Sequence, residues 1–310
     1  MLQVVRQFNR VQAGFDPMLE FITYCIQSFI YKLSHWNCKL YESVRLKRFK
    51  RIFNHNNDDY YLLKDIKIPK LSEEYEKTLP GILNDVLTSY LYFDDKYDEE
   101  TFEKCENLLV EGLYGLVNDK VNVTVEPGDN VIDVGSWVGD FAAYASLKVG
   151  KEGKIFAFEP VDLTYKYLEQ TARLNGQNII PVKKGLSDKN TNSLIYLDDL
   201  SSIGGNTLIS KETEKKESEN SNTVETIRLD DFVRENNLTH VDFIKADIEG
   251  FERYMLEGAQ ETLRKFAPKL ALCTYHLPDD PEVMAALIKK ANPAYNIVQK
   301  RKKLFASVPK

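Results

Sequence analysis

The sequence is poor in cysteine and has no long apolar run. Its 310 residues include four cysteines, and no pair of them has the spacing of metal ligands or of a disulfide framework. We therefore expect reduced, mostly buried thiols, as in a cytoplasmic protein. The longest charge-free apolar stretch covers residues 21–31. It is too short to span a bilayer, which needs about 20 residues.

The sequence also has no signal-peptide pattern at its N-terminus and no excess of basic residues. Arg6, Arg10 and Asp16 interrupt any apolar core that an N-terminal signal would need, so we expect none. The formal net charge is −6, and a chain of this sign as a whole repels nucleic acid. Hydrophobic residues make up 43% of the chain, which is enough for a sizeable core. We expect a globular protein without a nucleic-acid partner.

From about residue 125 onward, short apolar runs alternate with helical patterns. Strands are expected in the segments "NVIDV", "KIFAFE", "NIIPV", "HVDFIKAD" and "KLALCTYH". Helices are expected near 139–149, 163–175, 251–265 and 280–291. This alternation predicts an α/β fold with a parallel sheet covered on both faces. The last two runs, "AYNIVQKR" and "KKLFASV", leave no room for a helix and predict an antiparallel hairpin at the sheet edge.

Residues 1–110 have a different pattern, with helical periodicity and few strand signals, so we expect a helical N-terminal appendage before a second domain at 111–310. Within 18–53 an apolar helix precedes a basic one. That pattern fits peripheral membrane contact, but it equally fits packing on the core or on a second subunit, which we favour. Residues 210–223 are polar and aperiodic, and we expect a mobile insertion there, with a substrate lid as the alternative.

The segment "NVIDVGSWVGDFAAYA", residues 130–145, has the pattern of a strand, a tight turn and a helix. Gly135 permits the turn, and Gly139 lets the helix begin close to a ligand that amides at the helix start would contact. Ligands of open α/β sheets bind at the carboxyl ends of the strands. A dinucleotide fingerprint has glycine where this chain has Trp137 and Asp140, and the chain contains no phosphate-loop motif. The pattern therefore disfavours NAD.

Carboxylates surround this turn in the predicted fold. Glu159 ends the second strand, where a carboxylate can accept both hydrogen bonds of a ribose diol. Together with Asp133 and Asp140 it makes an acidic site, which suits a nucleoside with a positive centre, such as S-adenosyl-L-methionine. In the structural alternative, Glu159 caps the next helix and Asp133 is a satisfied buried acid. We favour the cofactor site because these residues occur together at these spacings.

Two carboxylates, Asp247 and Glu249, follow the fourth strand in "IKADIEGFE". Their alternating spacing points them the same way if the strand continues, with Lys245 on the same face one step deeper. Carboxylates that face one pocket can hold a substrate hydroxyl, tune each other's pKa or share a metal. In the structural alternative, Glu249 caps the helix and Asp247 pairs with Lys245. We favour a site, because strand ends in such sheets are where ligands bind.

His276 ends the fifth strand in "CTYHLPDDPE". There it is a candidate general base, with Asp279 or Asp280 orienting its ring. It could instead join Asp247 and Glu249 around a divalent ion, although we expect no metal. In the structural alternative, His276 is a structural residue and Asp279 or Asp280 caps the following helix. We expect the catalytic residues to be Asp247, Glu249 and His276.

Four segments carry a resemblance to a known family, namely "VIDVGSWVGDFAAYAS", "FAFEPVDLTYKYLEQTARLN", "IRLDDFVRENNLTHVDFIKADIEGFERYMLEGA" and "LALCTYH". Over residues 111–305 they resemble the FkbM family of S-adenosylmethionine-dependent methyltransferases, and the third segment is the most specific. The resemblance implies a class I methyltransferase fold, which is Rossmann-like, with a seven-stranded, mostly parallel sheet whose last strand is antiparallel. It also implies methyl transfer, usually to a hydroxyl oxygen of a sugar, polyketide or other small metabolite.

The resemblance implies S-adenosyl-L-methionine as cofactor and a small molecule or glycan as methyl acceptor. The expected cofactor-binding residues are Asp133, Gly135, Ser136, Trp137, Gly139 and Glu159, with Ser187 and Asp188 in the loop after the third strand. Class I methyltransferases commonly contact the adenine from that loop. Two other functions stay open, an NAD-dependent oxidoreductase and a non-catalytic binding module that keeps the fold for a partner. The sequence leaves the acceptor and the oligomeric state open.

Overall fold

The computed structural model describes residues 59–63, 66–72, 75, 115–196, 207–208, 221–300 and 302–309. The chain divides into two compact units, Met1–Gly112 and Leu113–Lys310. In the first unit, strand β1 (Tyr60–Leu63) pairs antiparallel with β2 (Ile66–Pro69). The prediction of helix is therefore wrong for this hairpin. The rest of the predicted helical appendage, including 18–53, lies outside the described residues.

The described elements of the second unit are, in chain order, β3 (Leu116–Val117), β4 (Asn122–Val123), β5 (Asn130–Val134), α1 (Asp140–Val149), β6 (Lys154–Phe158), α2 (Asp162–Asn175), β7 (Ile179–Val182), β8 (Gly185–Leu186), β9 (Thr191–Tyr196), β10 (Thr207–Leu208), β11 (Ser221–Ile227), α3 (Leu229–Glu235), β12 (Phe243–Ala246), α4 (Glu252–Glu257), α5 (Gln260–Phe266), β13 (Lys269–Cys273), α6 (Asp280–Ala291), β14 (Asn296–Lys300) and β15 (Lys303–Ser307). Among the described residues, no helix is both long and apolar enough to cross a bilayer.

A seven-stranded sheet forms the centre of this unit, with the strand order β14-β15-β13-β12-β5-β6-β7. The strands from β13 to β7 are parallel, whereas β15 runs antiparallel between β13 and β14. Every residue of β5 and β12 is buried, as in strands that helices cover on both faces. This topology confirms the predicted α/β fold of class I methyltransferase type and its C-terminal hairpin.

The helices agree with the predicted ones in three of four cases. The exception is the predicted helix at 251–265, which is two helices, α4 and α5, separated at Gly258. A Cβ at Gly258 would lie 2.0 Å from the carbonyl oxygen of Ser187, so only glycine allows this close approach. The break therefore has a packing cause that hydrophobic periodicity does not reveal.

A second, four-stranded sheet has the order β10-β9-β11-β8. It includes residues 221–223, which the sequence placed in a mobile insertion, while 209–220 lie outside the described residues. Ile195 and Val224 of this small sheet pack with Val161 and Phe251 in one apolar cluster. This cluster holds the small sheet beside the carboxyl ends of the central strands.

The "LDDF" segment at the start of α3 fixes α5. Asp230 is buried, and its carboxylate accepts hydrogen bonds from the backbone N–H and the hydroxyl of Thr262, both at 2.8 Å, and from the N–H of Glu261 at 3.1 Å. Arg228 adds an ion pair at 3.2 Å. Amides in the first turn of a helix have no partner within the helix. Asp230 therefore caps α5 from a distant part of the chain.

Replacing Asp230 with alanine should lower the free energy of unfolding by about 2–3 kcal/mol, because buried amides of α5 lose their acceptor. Urea denaturation measures the change. Asp119→Ala, at an exposed loop position, is the control and should stay within about 0.5 kcal/mol of the parent. Equal effects of the two variants would contradict the capping role.

Candidate functional site

A pocket opens where the carboxyl ends of β5, β6 and β12 meet. Its walls come from the glycine turn after β5, from Phe158–Pro160, from 184–186, from Ile195 of the small sheet and from 247–249. The pocket therefore lies where the sequence placed it, at the strand ends. Gly135, Trp137, Glu159, Asp247 and Glu249 are the predicted site residues that line it.

Gly135 is the point of closest approach between two strand ends. Its φ of +73° is in the left-handed region, and a Cβ there would lie 2.1 Å from the carbonyl oxygen of Asp247. The amides of Gly135 and Ser136 both donate to the carbonyl of Phe158, at 3.0 and 2.9 Å. The hydroxyl of Ser136 donates to the carbonyl of Asp133 at 2.9 Å. These amides are committed within the protein, so the expected amide contacts to a ligand are not available from this part of the turn.

Gly139 has a different role from the one expected. A Cβ at this position would lie 2.9 Å from Leu168 and 3.0 Å from Thr171, both on α2. The hydroxyl of Thr171 donates to the carbonyl of Val138 at 2.6 Å. The missing side chain thus makes room for α2 against the start of α1. The geometry gives Gly139 a place in helix packing, and its contact with a cofactor stays a prediction.

Trp137 forms a wall of the pocket and has an unusual backbone for a bulky residue, with φ at +50°. Such conformations persist where the surroundings impose them, often at functional sites. Its amide donates to Glu159 at 3.0 Å. Its indole Nε1 is buried and has no hydrogen-bond partner among the described residues. The turn therefore contains a buried donor that the described residues leave without an acceptor.

Glu159 is buried at the end of β6 and holds the turn together. One carboxylate oxygen accepts from the N–H of Trp137 and the other from the N–H of Val161, each at 3.0 Å. Burial raises the pKa of Glu159 to about 7. The two amides and the hydroxyl of Thr164 occupy at most three of the four lone-pair positions of this carboxylate, so it can also accept a hydrogen bond from a ligand in the pocket. Val161 immediately precedes α2, so Glu159 caps this helix, as in the structural alternative. The same side chain can also take the expected role of binding a ligand.

Asp133 lies beneath the turn rather than in the pocket. It is fully buried, and its carboxylate pairs with the buried ammonium of Lys245 at 3.1 Å. Lys245 also donates to the carbonyl of Gly135 at 2.7 Å. Burial alone would lower the pKa of Lys245, but the carboxylates of Asp133, Asp247 and Asp140 together raise it. Lys245 therefore pairs with Asp133, a partner that the sequence analysis did not name, while Asp247 also contributes to its charge environment.

Asp140 belongs to the same buried group. Its carboxylate is 95% buried at the first residue of α1, and burial raises its pKa to about 7. Lys245 lowers that pKa, whereas the neighbouring Asp133 raises it. The acidic character predicted around the turn is thus real, but Asp133 and Asp140 are buried around Lys245 rather than lining the pocket.

Ser187 and Asp188 do not line the pocket. The hydroxyl of Ser187 donates to Asp188 at 3.0 Å, and Asp188 pairs with Lys189 at 3.2 Å. The pocket residues of this loop come just before them, at Lys184, Gly185 and Leu186. The cause is β8, because its parallel pairing with β11 leads the chain away from the pocket after Leu186. The sequence located the loop but missed these residues, since nothing in it predicted β8.

Asp247, Glu249 and His276 come together at the rim of the pocket. Nε2 of His276 lies 3.2 Å from a carboxylate oxygen of Glu249 and 3.7 Å from one of Asp247. The convergence does not arise from strand alternation, because β12 ends at Ala246. It arises from a left-handed turn, with φ at +54° for Glu249 and +96° for Gly250. The predicted grouping is present, but its expected cause is wrong.

Glu252 orients this group, and the sequence missed it. Its fully buried carboxylate accepts from the N–H of Ile248 at 2.8 Å and of Gly250 at 3.0 Å. It also lies 3.2 Å from Nδ1 of His276. The expected orienting residues Asp279 and Asp280 instead pair with Arg253. This residue is the second glutamate of "IEGFE". From the sequence alone it cannot be distinguished from an acid that only stabilises the start of a helix.

The carboxylates change the character of His276. Burial would lower the pKa of its imidazole, but Glu249 and Glu252 raise it to about 10. An imidazole with this pKa holds a proton at neutral pH, so it is a cation among carboxylates rather than a free base. Tyr275 also joins the group, because its hydroxyl donates to Asp247 at 2.8 Å.

Comparison with known proteins gives a consistent result. A family model described as the methyltransferase FkbM domain matches residues 133–294, more than half of the chain. The hexuronic acid methyltransferase AglP of Haloferax volcanii is 27% identical over 166 residues, which cover 54% of this chain and 64% of that protein. The methyltransferase sdnD of Sordaria araneosa is 30% identical over 159 residues, covering 42% of this chain and 60% of that protein. The chain thus spans less than two thirds of either relative.

Among solved structures, a methyltransferase FkbM from Methylobacillus flagellatus is similar, with a TM-score of 0.47 and 16% identity. The match covers 88% of this chain and 60% of that one.

Replacing Lys245 with methionine should lower the free energy of unfolding by about 3–5 kcal/mol, because Asp133 is left as an uncompensated buried charge. Urea denaturation measures the loss. The double variant Lys245→Met with Asp133→Asn removes both charges and should recover part of it. If the double variant loses as much unfolding free energy as the sum of the losses of Asp133→Asn and Lys245→Met, the two side chains do not interact as a pair.

Proposed function

The chain belongs to the methyltransferase FkbM family, and from that premise we propose that it transfers a methyl group from S-adenosyl-L-methionine to a hydroxyl oxygen of a sugar, glycan or other small metabolite. The domain that carries the activity in this proposal is 111–310. The main support is the position of Glu159, a buried carboxylate that can accept a further hydrogen bond, beside the Gly135 turn in a pocket at the strand ends.

The residues of the pocket fit this cofactor. Glu159 would accept hydrogen bonds from the ribose hydroxyls, and the apolar side chains of Leu186 and Ile195 offer a surface for the adenine. Trp137 Nε1–H, which has no acceptor among the described residues, is a candidate donor to the carboxylate of the methionyl part. A pyrophosphate would instead need free amides in the turn, and those of Gly135 and Ser136 are already bonded. The site therefore favours S-adenosyl-L-methionine over NAD.

The acceptor would lie at the rim formed by Asp247 and Glu249. When bound, S-adenosyl-L-methionine supplies an electrophilic methyl group. Asp247 and Glu249 line the pocket, so an acceptor hydroxyl meets their oxygens first and can give up its proton there. His276 stands behind them and holds both carboxylates in place. Much of the rate would come from placing the acceptor oxygen in line with the methyl group and excluding water.

The similarity to a hexuronic acid methyltransferase makes a sugar acid the first acceptor to try. Methyl transfer from labelled cofactor to hexuronic acids and neutral sugars would then separate an enzyme from a binding module that only keeps the fold.

Calorimetric titration should show micromolar binding of S-adenosylhomocysteine and none of NAD. Glu159→Ala should weaken the binding about 10- to 100-fold, because hydrogen bonds to a charged carboxylate are lost. Asp188→Asn is the control and should bind as the parent does, since its side chain contacts Ser187 and Lys189. Binding of NAD alone would overturn the proposal, and equal weakening by both variants would remove Glu159 from the site.

The affinity for S-adenosylhomocysteine should rise between pH 6 and pH 8. The folded pKa of Glu159 is about 7, so the carboxylate that accepts the ribose hydrogen bonds forms only as the pH passes that value. Below it, the affinity should fall up to about tenfold for each pH unit. Glu159→Gln has no proton to lose and should give a flat profile over this range. A parent profile as flat as that of the variant would contradict the assignment.

A further inference from the structure

We propose that Asp247, Glu249 and His276 form a binding site for a divalent metal ion at the rim of the pocket. The sequence favoured no metal here. Binding of the ion would not depend on the proposed methyl transfer, although its use in catalysis would. The three residues come from two strand ends, β12 and β13, which the Gly135 turn and Glu252 hold close to each other.

The distances between the donor atoms suit one ion. Nε2 of His276 lies 3.2 Å from Glu249 Oε2 and 3.7 Å from Asp247 Oδ1. All three residues offer a ligand atom within 4.8 Å of the others. Ligands bound at about 2.0–2.2 Å lie roughly 3–3.5 Å from their neighbours around an ion. Small side-chain rotations would therefore bring all three donors onto one ion.

His276 gives a second, independent indication. Its side chain is 92% buried, and its ring nitrogens lie 3.2 Å from carboxylate oxygens of Glu249 and Glu252, although neither contact has the geometry of a hydrogen bond. Buried polar atoms in that state need an explanation, and an ion that the group is built to bind is one. Nδ1 faces the buried carboxylate of Glu252 at 3.2 Å and keeps its proton there, so Nε2 is the nitrogen that would release its proton to solvent when an ion binds. Histidines that bind metals almost always have a carboxylate or carbonyl at the other nitrogen.

The neighbouring atoms hold the two carboxylates ready. The hydroxyl of Tyr275 donates to Asp247 at 2.8 Å. Glu252 accepts the amides on both sides of Glu249 and so fixes the left-handed turn that presents it. The side chains of Asp247 and Glu249 are 23% and 29% exposed, so an ion can reach them from solvent.

A second group of possible ligands, Glu252, His276 and Asp280, is less suitable. Glu252 is committed to two backbone amides. Asp280 pairs with Arg253 at 2.6 Å and accepts the N–H of Leu277 at 2.9 Å. Both carboxylates are fully buried, which closes them to an ion from solvent. The rim residues are therefore the site.

One imidazole and two carboxylates favour a first-row divalent ion such as Mn²⁺ over Ca²⁺, which takes oxygen ligands. The two carboxylates neutralise its charge. Three protein ligands leave open positions, where an acceptor hydroxyl could bind and lose its proton more easily. Such an ion would explain why acidic residues gather at the place where an acceptor must give up a proton.

Titration of the EDTA-treated full chain with Mn²⁺ tests the site, with the free ion measured by electron paramagnetic resonance. We expect saturable binding of one ion per chain. Glu249→Gln and His276→Asn should each weaken it at least about tenfold, the effect typical of lost metal-site contacts. Asp279→Asn is the matched control, a carboxylate near the same rim that pairs with Arg253, and should leave the affinity unchanged.

Absence of saturable Mn²⁺ binding, or equal weakening by Asp279→Asn, would overturn the proposal. Circular dichroism shows whether His276→Asn folds; if it does not, Glu249→Gln decides alone, because it lies at the exposed rim. S-adenosylhomocysteine is titrated in parallel. Its binding without Mn²⁺ binding would remove the metal site and leave the proposed function, and the opposite result would remove the proposed function and leave the metal site.

Discussion

The buried ammonium of Lys245 is the contact on which the site depends. It lies on β12, pairs with Asp133 of the neighbouring β5 and donates to the carbonyl of Gly135. An ammonium in the interior costs much desolvation unless carboxylates and carbonyls replace its water. Here Asp133, Asp140 and Asp247 supply the negative charge. The cation therefore ties the glycine turn to the strand that leads into the acidic rim.

Gly135 also joins the turn after β5 to the end of β12. Its missing side chain lets the turn after β5 touch the carbonyl of Asp247, so the two strand ends lie in contact rather than side by side. The amides of Gly135 and Ser136 donate to the carbonyl of Phe158, and the amide of Trp137 donates to Glu159. A ligand must then be recognised by side chains. Trp137, whose indole N–H has no acceptor in the described part of the chain, stands where a pyrophosphate site would need glycine.

Much of the fold could be predicted from the sequence, because buried parallel strands are short apolar runs that end in glycine or acidic residues. The strands and the C-terminal hairpin follow from that pattern, whereas Asp247, Glu249 and His276 meet because of a left-handed turn after β12 that the pattern does not contain. The predictions that failed are those that depend on contacts between residues far apart in the sequence. The pairing of β8 with β11 moved the pocket residues from Ser187 to Lys184–Leu186, and Gly258 broke a predicted helix against Ser187. No local periodicity contains such information.

The same limit explains the misassigned acids. Asp279, Asp280 and Glu252 are all acids near the start of a helix, and the sequence gives no reason to choose among them. The choice is made by Arg253, which lies next to Glu252 and reaches Asp279 and Asp280 of α6. With those two neutralised, Glu252 is the carboxylate left to face His276. Arg253 thus holds two of the three acids away from the histidine, while the amides of Ile248 and Gly250 hold Glu252 against it.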